Sequence, residues 1–256
     1  RRTDALPARC HDVHADFRTC TDKGCVEARL STVDDARIYY TLDGSQPSAS
    51  SLPYEGPIVI NADARLRYAA IRLGDAHAHS VARKMVMSHV GARDFAFCAS
   101  TARPIRLLQE PHARYTFGGS ATLVDGVKGE STNFQSGQWI GFSGTDLDAV
   151  IDLGQATTFR EVAFNTCVAK GDWIFDARRF EVWASDDGTT FREVAATDFP
   201  AMKQGDADGI IPHALQFDAT TARYVKVKVL SEHSIPEWHG GKGAPGFLFV
   251  DELMVR

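Results

Sequence analysis

The run Ala222–Leu230, ARYVKVKVL, alternates with a period of two: Val225, Val227 and Val229 fall on one side and Lys226 and Lys228 on the other. Such alternation suits a strand with one buried face and no helix, whose apolar positions would recur every three or four residues. Phe159–Asn165 (FREVAFN), Arg179–Ser185 (RFEVWAS) and Phe247–Val255 (FLFVDELMV) read as further strands, and Asp187-Gly188 marks a hairpin turn after RFEVWASD. No segment of this half sustains a helical period. Strands of this kind joined by long loops predict a jelly-roll-like sandwich with its function on the loops at one end.

The first half is also β. Ala36–Leu42 (ARIYYTL) is rich in β-branched and aromatic residues and stops at Asp43-Gly44, where a hairpin should turn. Pro47, Pro53 and Pro57 deny the chain helix, and Ile58–Ile60 and Leu66–Leu73 supply two more strands. Asp43 reads as a turn-former whose carboxylate takes nearby amides. His77 and His79 stand in a loop, GDAHAHS, without a third ligand beside them. A length of 256 residues accommodates two cores. The predicted division is a polar lead-in over 1–25, a first sandwich over 26–90, a linker over 91–103 and a second sandwich over 104–256.

Composition narrows the classes of function. Hydrophobic residues at 44% and charged residues at 24% are globular values, and the net charge of −5 argues against a nucleic-acid partner. No apolar run is long enough to span a bilayer, and the opening RRTDALPARC lacks an apolar signal core, so the chain is expected to be processed or part of something longer. Of the five cysteines, Cys10, Cys20 and Cys25 crowd together, so the expectation is either one disulfide among them in an oxidising compartment or inert thiols. His11 and His14 lie between the first two, but without a paired C-x-x-C zinc is disfavoured.

The candidate recognition stretch is Gly118–Gly154, with an acidic turn at Asp125 and a glycine-punctuated loop carrying Trp139 and Phe142. Aromatic faces stack on sugar C–H faces while Asn, Asp, His and Arg read hydroxyls. Three loops offer both kinds: 133–146 with Trp139 and Phe142, 165–175 with Asn165, Asp172 and Trp173, and 231–246 with His233, Trp238 and His239. Packing is the competing reading for the tryptophans, and mid-strand Trp183 is expected to pack. GKGAPG at 241–246 fits G-x-G-x-x-G but leads into a strand, so it is read as a loop, and GFSGT at 141–145 lacks the second glycine of a nucleophile elbow. No pair of carboxylates suggests a glycosidase cleft.

Two resemblances sharpen these expectations. IYYTLDGSQPS, SLPYEGPIVI and LRYAAI resemble the immunoglobulin-like domain at the C-terminal side of bacterial chitobiases and β-hexosaminidases, a structural spacer. LVDG, AVIDLG, FEVWASDDGTTF, ARYVKVKV and FLFVDELMV, in that order, resemble the coagulation-factor-5/8 type C or discoidin fold, also called carbohydrate-binding module family 32. NFQSGQWIGF, DWIF and PEWHGGKG look especially like the C-terminal domain of Bacteroidetes-type family 20 β-hexosaminidases. The resemblance implies an all-β chain, an Ig-like sandwich followed by a discoidin-like jelly roll. It implies a structural calcium at Asp125, Glu252 and the carbonyls of Leu123, Val127 and Glu130; Glu130 stands where many members carry Thr or Ser. It further implies a non-catalytic region of a secreted, periplasmic or cell-surface bacterial glycoside hydrolase. An upstream catalytic domain would precede it, and it would bind a glycan bearing N-acetylhexosamine or galactose. The rival expectation is a pair of domains that only pack on that catalytic domain.

Overall fold

The computed structural model describes residues 9–73 and 85–256; His77 and His79 lie outside these. The chain divides into two compact units, one of residues through Arg18 with Cys25–Ala96, the other of Thr19–Gly24 with Phe97–Arg256. Both are built from antiparallel strands. Among the described residues the helical content is two short 3-10 turns, and no helix is long and apolar enough to cross a membrane.

In the first unit the strands are β1 (His14–Cys20), β2 (Cys25–Ser31), β3 (Arg37–Thr41), β4 (Leu52–Pro53), β5 (Ile58–Ile60), β6 (Ala64–Leu73), β7 (Met85–Met87) and β8 (Gly91–Phe95). β1, β2 and β5 make one sheet, while β4, β3, β6 and β7 make another, with β8 also on β6. Val26, Ala28, Ile58, Ile60, Leu66 and Ala70 are buried, the period-two pattern of half-buried strands. Residues 14–20, polar enough to suggest a lead-in, form β1. The Asp43-Gly44 turn is present, with Gly44 at φ +86 and Asp43 Oδ1 accepting from the Ser45 amide at 2.9 Å. The partner strand β4 returns only after a wide loop, so the turn does not close a tight hairpin. Of the two readings expected for Cys10, Cys20 and Cys25, a disulfide or inert thiols, the structure has the thiols. All three are buried as small apolar groups.

The second unit comprises β9 (Ile105–Leu107), β10 (Ile140–Ser143), β11 (Leu147–Val168), β12 (Arg179–Ser185), β13 (Arg192–Asp198), β14 (Gly209–Leu230), β15 (Phe247–Val250) and β16 (Met254–Val255). The order is β10-β15-β11-β14-β12-β13, with β9 and β16 also on β11. Val225, Val227 and Val229 are fully buried in a core with Leu147, Ile151, Phe164, Phe180 and Leu248.

Two strands exceed their expected lengths. Asp152-Leu153-Gly154 reads as a strand end, yet β11 passes through it as an irregularity in register, with Gly154 at φ +84 and its amide on Asp152 Oδ1 at 2.8 Å. The chain therefore bends without leaving the ladder, and β14 pairs along it as far as Val168↔Gly209. Phe247–Val255, by contrast, breaks into β15 and β16. Between them the side chains of Asp251 and Glu252 turn inward to take amides from Gly126 and Gly129 and from Asn165 of β11.

Candidate functional site

Loops 165–175 and 231–246 meet, and Trp173 stands at their junction. A 3-10 turn at Lys170–Asp172 ends on Trp173, whose backbone is left-handed at φ 65, ψ 24. A non-glycine residue there is strained and is held by its surroundings. The Phe247 amide donates to Trp173 O at 2.8 Å, and the indole lies against Gly241 so closely that a Cβ there would come within 2.9 Å of Cζ2. With 41% of its surface exposed, Trp173 presents aromatic area to solvent.

His239 sets that platform without facing outward. Its Nε2 donates to Lys170 O at 2.9 Å, and its Nδ1 accepts from the Gly241 amide at 3.0 Å, so the ring is the Nε2–H tautomer with both nitrogens occupied. Its ring meets Trp173 edge-on, 6.1 Å between centroids. Lys170 is braced in turn by Asp206 O at 2.6 Å and by the Asp208 carboxylate. Burial would raise the Asp208 carboxyl, but the Lys170 side chain and amide override it and hold it below its ordinary value.

Other expected ligand residues serve the interior. Trp139 and Phe142 are fully buried, so neither can stack on a sugar: Trp139 packs on Cys167, Ile174 and Phe249 with Nε1 donating to Ser131 O at 3.1 Å, and Phe142 belongs to the central core. Asn165 gives its backbone amide and Nδ2 to Asp251 at 2.9 and 2.6 Å. Trp238 is half-buried, its Nε1 on Met202 O at 3.1 Å and its ring against Phe175. His233 joins another cluster, with Nε2 2.8 Å from Asp146 Oδ1, which also takes the Ser231 amide at 2.9 Å. Trp183 stays on its own sheet, donating to Glu181 Oε2 at 3.0 Å. Sequence reasoning missed Lys170, Asp208 and Gly241; GKGAPG was the available signal for Gly241, as a close backbone approach and no phosphate cradle.

The expected cation site is a buried acidic corner. Glu252 is 1% exposed; its Oε1 accepts from the Gly126 amide at 3.0 Å and its Oε2 is buried without a hydrogen-bond partner among the described residues. Burial, then the charge of Asp125, pushes its carboxyl well above the ordinary range. Asp125 Oδ1 caps the Val127 amide at 2.8 Å, Leu123 O takes the Leu253 amide at 2.8 Å, and Glu130 is exposed with its amide on Gln138 Oε1. Neighbouring Asp251, which the strand reading passed over, accepts from Gly129 and Asn165. Among the described residues no three His, Cys, Asp or Glu side chains are arranged to hold a metal, so a cation here would depend on carbonyl oxygens. An orphaned carboxylate oxygen beside a second carboxylate and turn carbonyls fits a hard cation.

Residues 109–245 match the F5/8 type C domain family, and residues 29–85 match the Fn3 associated family. No curated protein matches the chain. Among solved structures it is similar to chitosan-binding module 1 of a chitosanase/glucanase from Paenibacillus sp. IK-5, at 18% identity over 62% of this chain and 98% of that one, TM-score 0.41. It is also similar to CpGH89CBM32-5 from Clostridium perfringens in complex with GalNAc-β-1,3-galactose, at 18% identity over 59% and 93%, TM-score 0.40. A third is the CBM32 of AlyQ in complex with 4,5-unsaturated mannuronic acid, at 17% identity over 60% and 93%, TM-score 0.36.

Proposed function

The chain belongs to the F5/8 type C domain family, matched over residues 109–245, and from that premise we propose that its second unit is a non-catalytic carbohydrate-binding module. The observation that carries this reading is the exposed, strained Trp173, braced by His239 and Gly241. A sugar ring laid on that indole would bury C–H faces against it, leaving its hydroxyls to the polar loop around Asp172 and Lys242. Holding a rigid aromatic in place beforehand lowers the ordering cost of binding. Affinity at one such platform is weak, and the use of a weak module is to raise the local concentration of glycan near an attached activity.

The module is read further as an accessory region of a secreted, periplasmic or cell-surface glycoside hydrolase of the family 20 β-hexosaminidase kind, with an upstream catalytic domain and a glycan ending in N-acetylhexosamine or galactose. A structural calcium would be held by Asp125 and Glu252 with the carbonyls of Leu123, Val127 and Glu130. When bound it would supply positive charge to two carboxylates that otherwise repel. Glu252 and its neighbour Asp251 fix the 125–130 loop to the segment joining β15 and β16, Glu252 through the Gly126 amide and Asp251 through the Gly129 amide.

A glycan array of the chain with calcium present, run beside Trp173→Ala, tests the reading. Binding to N-acetylhexosamine- or galactose-terminated glycans that disappears in the variant supports it. Binding that survives moves the site elsewhere, and silence from folded protein favours domains that only pack on a catalytic partner.

A further inference from the structure

The first unit holds a pocket of about 240 Å³ lined by Asp35, Ala36, Arg37, Tyr39, Ala49, Ile71 and Arg72. Pairing of Arg37 with Ile71 and of Tyr39 with Ala69 sets the end of β3 beside the end of β6, and the turn after Pro47 brings in Ala49. Its walls mix an aromatic ring and three aliphatic side chains with two guanidinium groups against one carboxylate.

Arg72 is the anomaly. Its Nε and Nη2 are buried with no hydrogen-bond partner among the described residues. Leaving two N–H donors of a cation both dry and unpaired is among the costlier arrangements a protein can hold. Those two atoms form one edge of the guanidinium, the edge that seats a carboxylate with two parallel hydrogen bonds. Arg223 shows the use of that edge in this same chain, with Nε and Nη2 on the two oxygens of Asp152 at 2.8 and 2.9 Å. Arg72 has no such carboxylate among the described residues. Asp34, the carboxylate that its charge reaches, already accepts from the ring and the backbone amide of His11 at 2.8 and 2.5 Å. Asp35 lines the pocket but is exposed at its rim.

We propose that this pocket binds a small carboxylate-bearing ligand, its carboxylate on the Nε/Nη2 edge of Arg72 and its body against Tyr39, Ile71, Ala36 and Ala49. Arg72 is intermediate in exposure and lines the pocket, and binding would turn its buried edge from the wall toward the ligand. Arg37 at the rim adds a second positive charge. The volume suits one sugar ring or one acylated residue, so the chemistry is shared by a hexuronate sugar and by the free carboxyl end of a peptide. This site is independent of the Trp173 platform, whose residues lie in the other unit.

Titration calorimetry of the whole chain with glucuronate, glucose and N-acetylalanine tests it, with Arg72→Met and Arg72→Lys beside the parent. The expected result is binding of at least one of the two carboxylates, no binding of glucose, and at least a tenfold loss in Arg72→Met. Glucuronate alone assigns the ligand to acidic sugars and N-acetylalanine alone to chain ends; both support the pocket. Arg72→Lys keeps the charge without the fork and should bind at least tenfold more weakly than the parent. Because an unpaired buried cation is removed, Arg72→Met should hold or raise the Tm, by roughly 2–4 °C. A lower Tm would make Arg72 a structural group and overturn the proposal, as would equal binding of glucose, undiminished binding in Arg72→Met, or no binding of either carboxylate. Trp173→Ala should leave carboxylate binding unchanged, which separates failure here from failure of the glycan reading.

Discussion

Gly129 lies against the indole of Trp139 so tightly that a Cβ added to it would fall 2.0 Å from Cζ2. The same glycine gives its amide to Asp251 Oδ2 at 2.9 Å. One backbone position thereby joins a buried aromatic plug to the acidic corner, and Trp139 acts as a wedge beneath the 125–130 loop.

Gly129→Ala should lower stability by about 1–3 kcal/mol through overpacking, with the Tm falling about 2–4 °C for each kcal/mol. Thermal unfolding followed by circular dichroism measures it. An unchanged Tm would mean that the ring moves aside freely.

Trp173 should separate binding from stability. Trp173→Gly accepts the left-handed backbone, so the strain it relieves, about 1 kcal/mol, offsets the lost packing of the half-exposed indole and stability should stay close to the parent's. Glycan affinity should nevertheless fall roughly tenfold or more as the stacking surface is lost. Paired melting and binding curves decide the point, and a variant losing stability and binding together would contradict it.

The tautomer of His239 can be read directly. Nitrogen-15 NMR should find Nδ1 pyridine-like and Nε2 pyrrole-like, since Nδ1 accepts from Gly241 and Nε2 donates to Lys170. The opposite tautomer would remove both bonds and the bracing of Trp173 with them.

Calcium should raise the Tm of the parent and a chelator should lower it; at a hundredfold excess over Kd the gain is about 2.7 kcal/mol. Glu252→Gln should abolish that response. In chelator it should match or exceed the parent, because a carboxyl buried beside Asp125 becomes neutral. A Tm insensitive to calcium and chelator in the parent would dismiss the cation.

The hairpin turn at Asp187 predicts an acid response. The amides of Thr190 and Thr189, then the Ser185 hydroxyl, hold its carboxyl well below the ordinary 3.8. A lowered folded value means that this stabilisation is whole above about pH 4 and is lost as pH falls through the folded value. The Tm gap between the parent and Asp187→Asn should thus be constant near neutrality and narrow only in acid. A gap that widens in acid would reverse the sign.

The period-two runs made the all-β class legible, because burial of Val225, Val227 and Val229 is a local consequence of alternation. Aromatics in polar loops were not sorted the same way. Trp139 and Trp173 both sit among glycines and polar residues, yet one is fully buried and the other 41% exposed. What separates them is tertiary: Trp139 closes over Gly129 beneath β10, whereas Trp173 lies over Gly241 at the surface. His239 looked like a hydroxyl reader because its two nitrogens are spent on partners 69 residues before it and two after it, and only the fold reveals the first. The continuity of β11 was hidden by Asp152-Leu153-Gly154, where a left-handed glycine that would suit a turn only bends the strand.

β9 pairs with β11 at Ala149–Ile151 and β16 pairs with it at Val162–Ala163, both antiparallel, so the first and last strands of the second unit lie on one shared partner. β11, itself paired along its length with β14, therefore holds both ends of the unit's chain on one backbone. Neither end can fray without giving up its ladder with the strand that also holds the other, so the two ends of the unit are guarded by a single element.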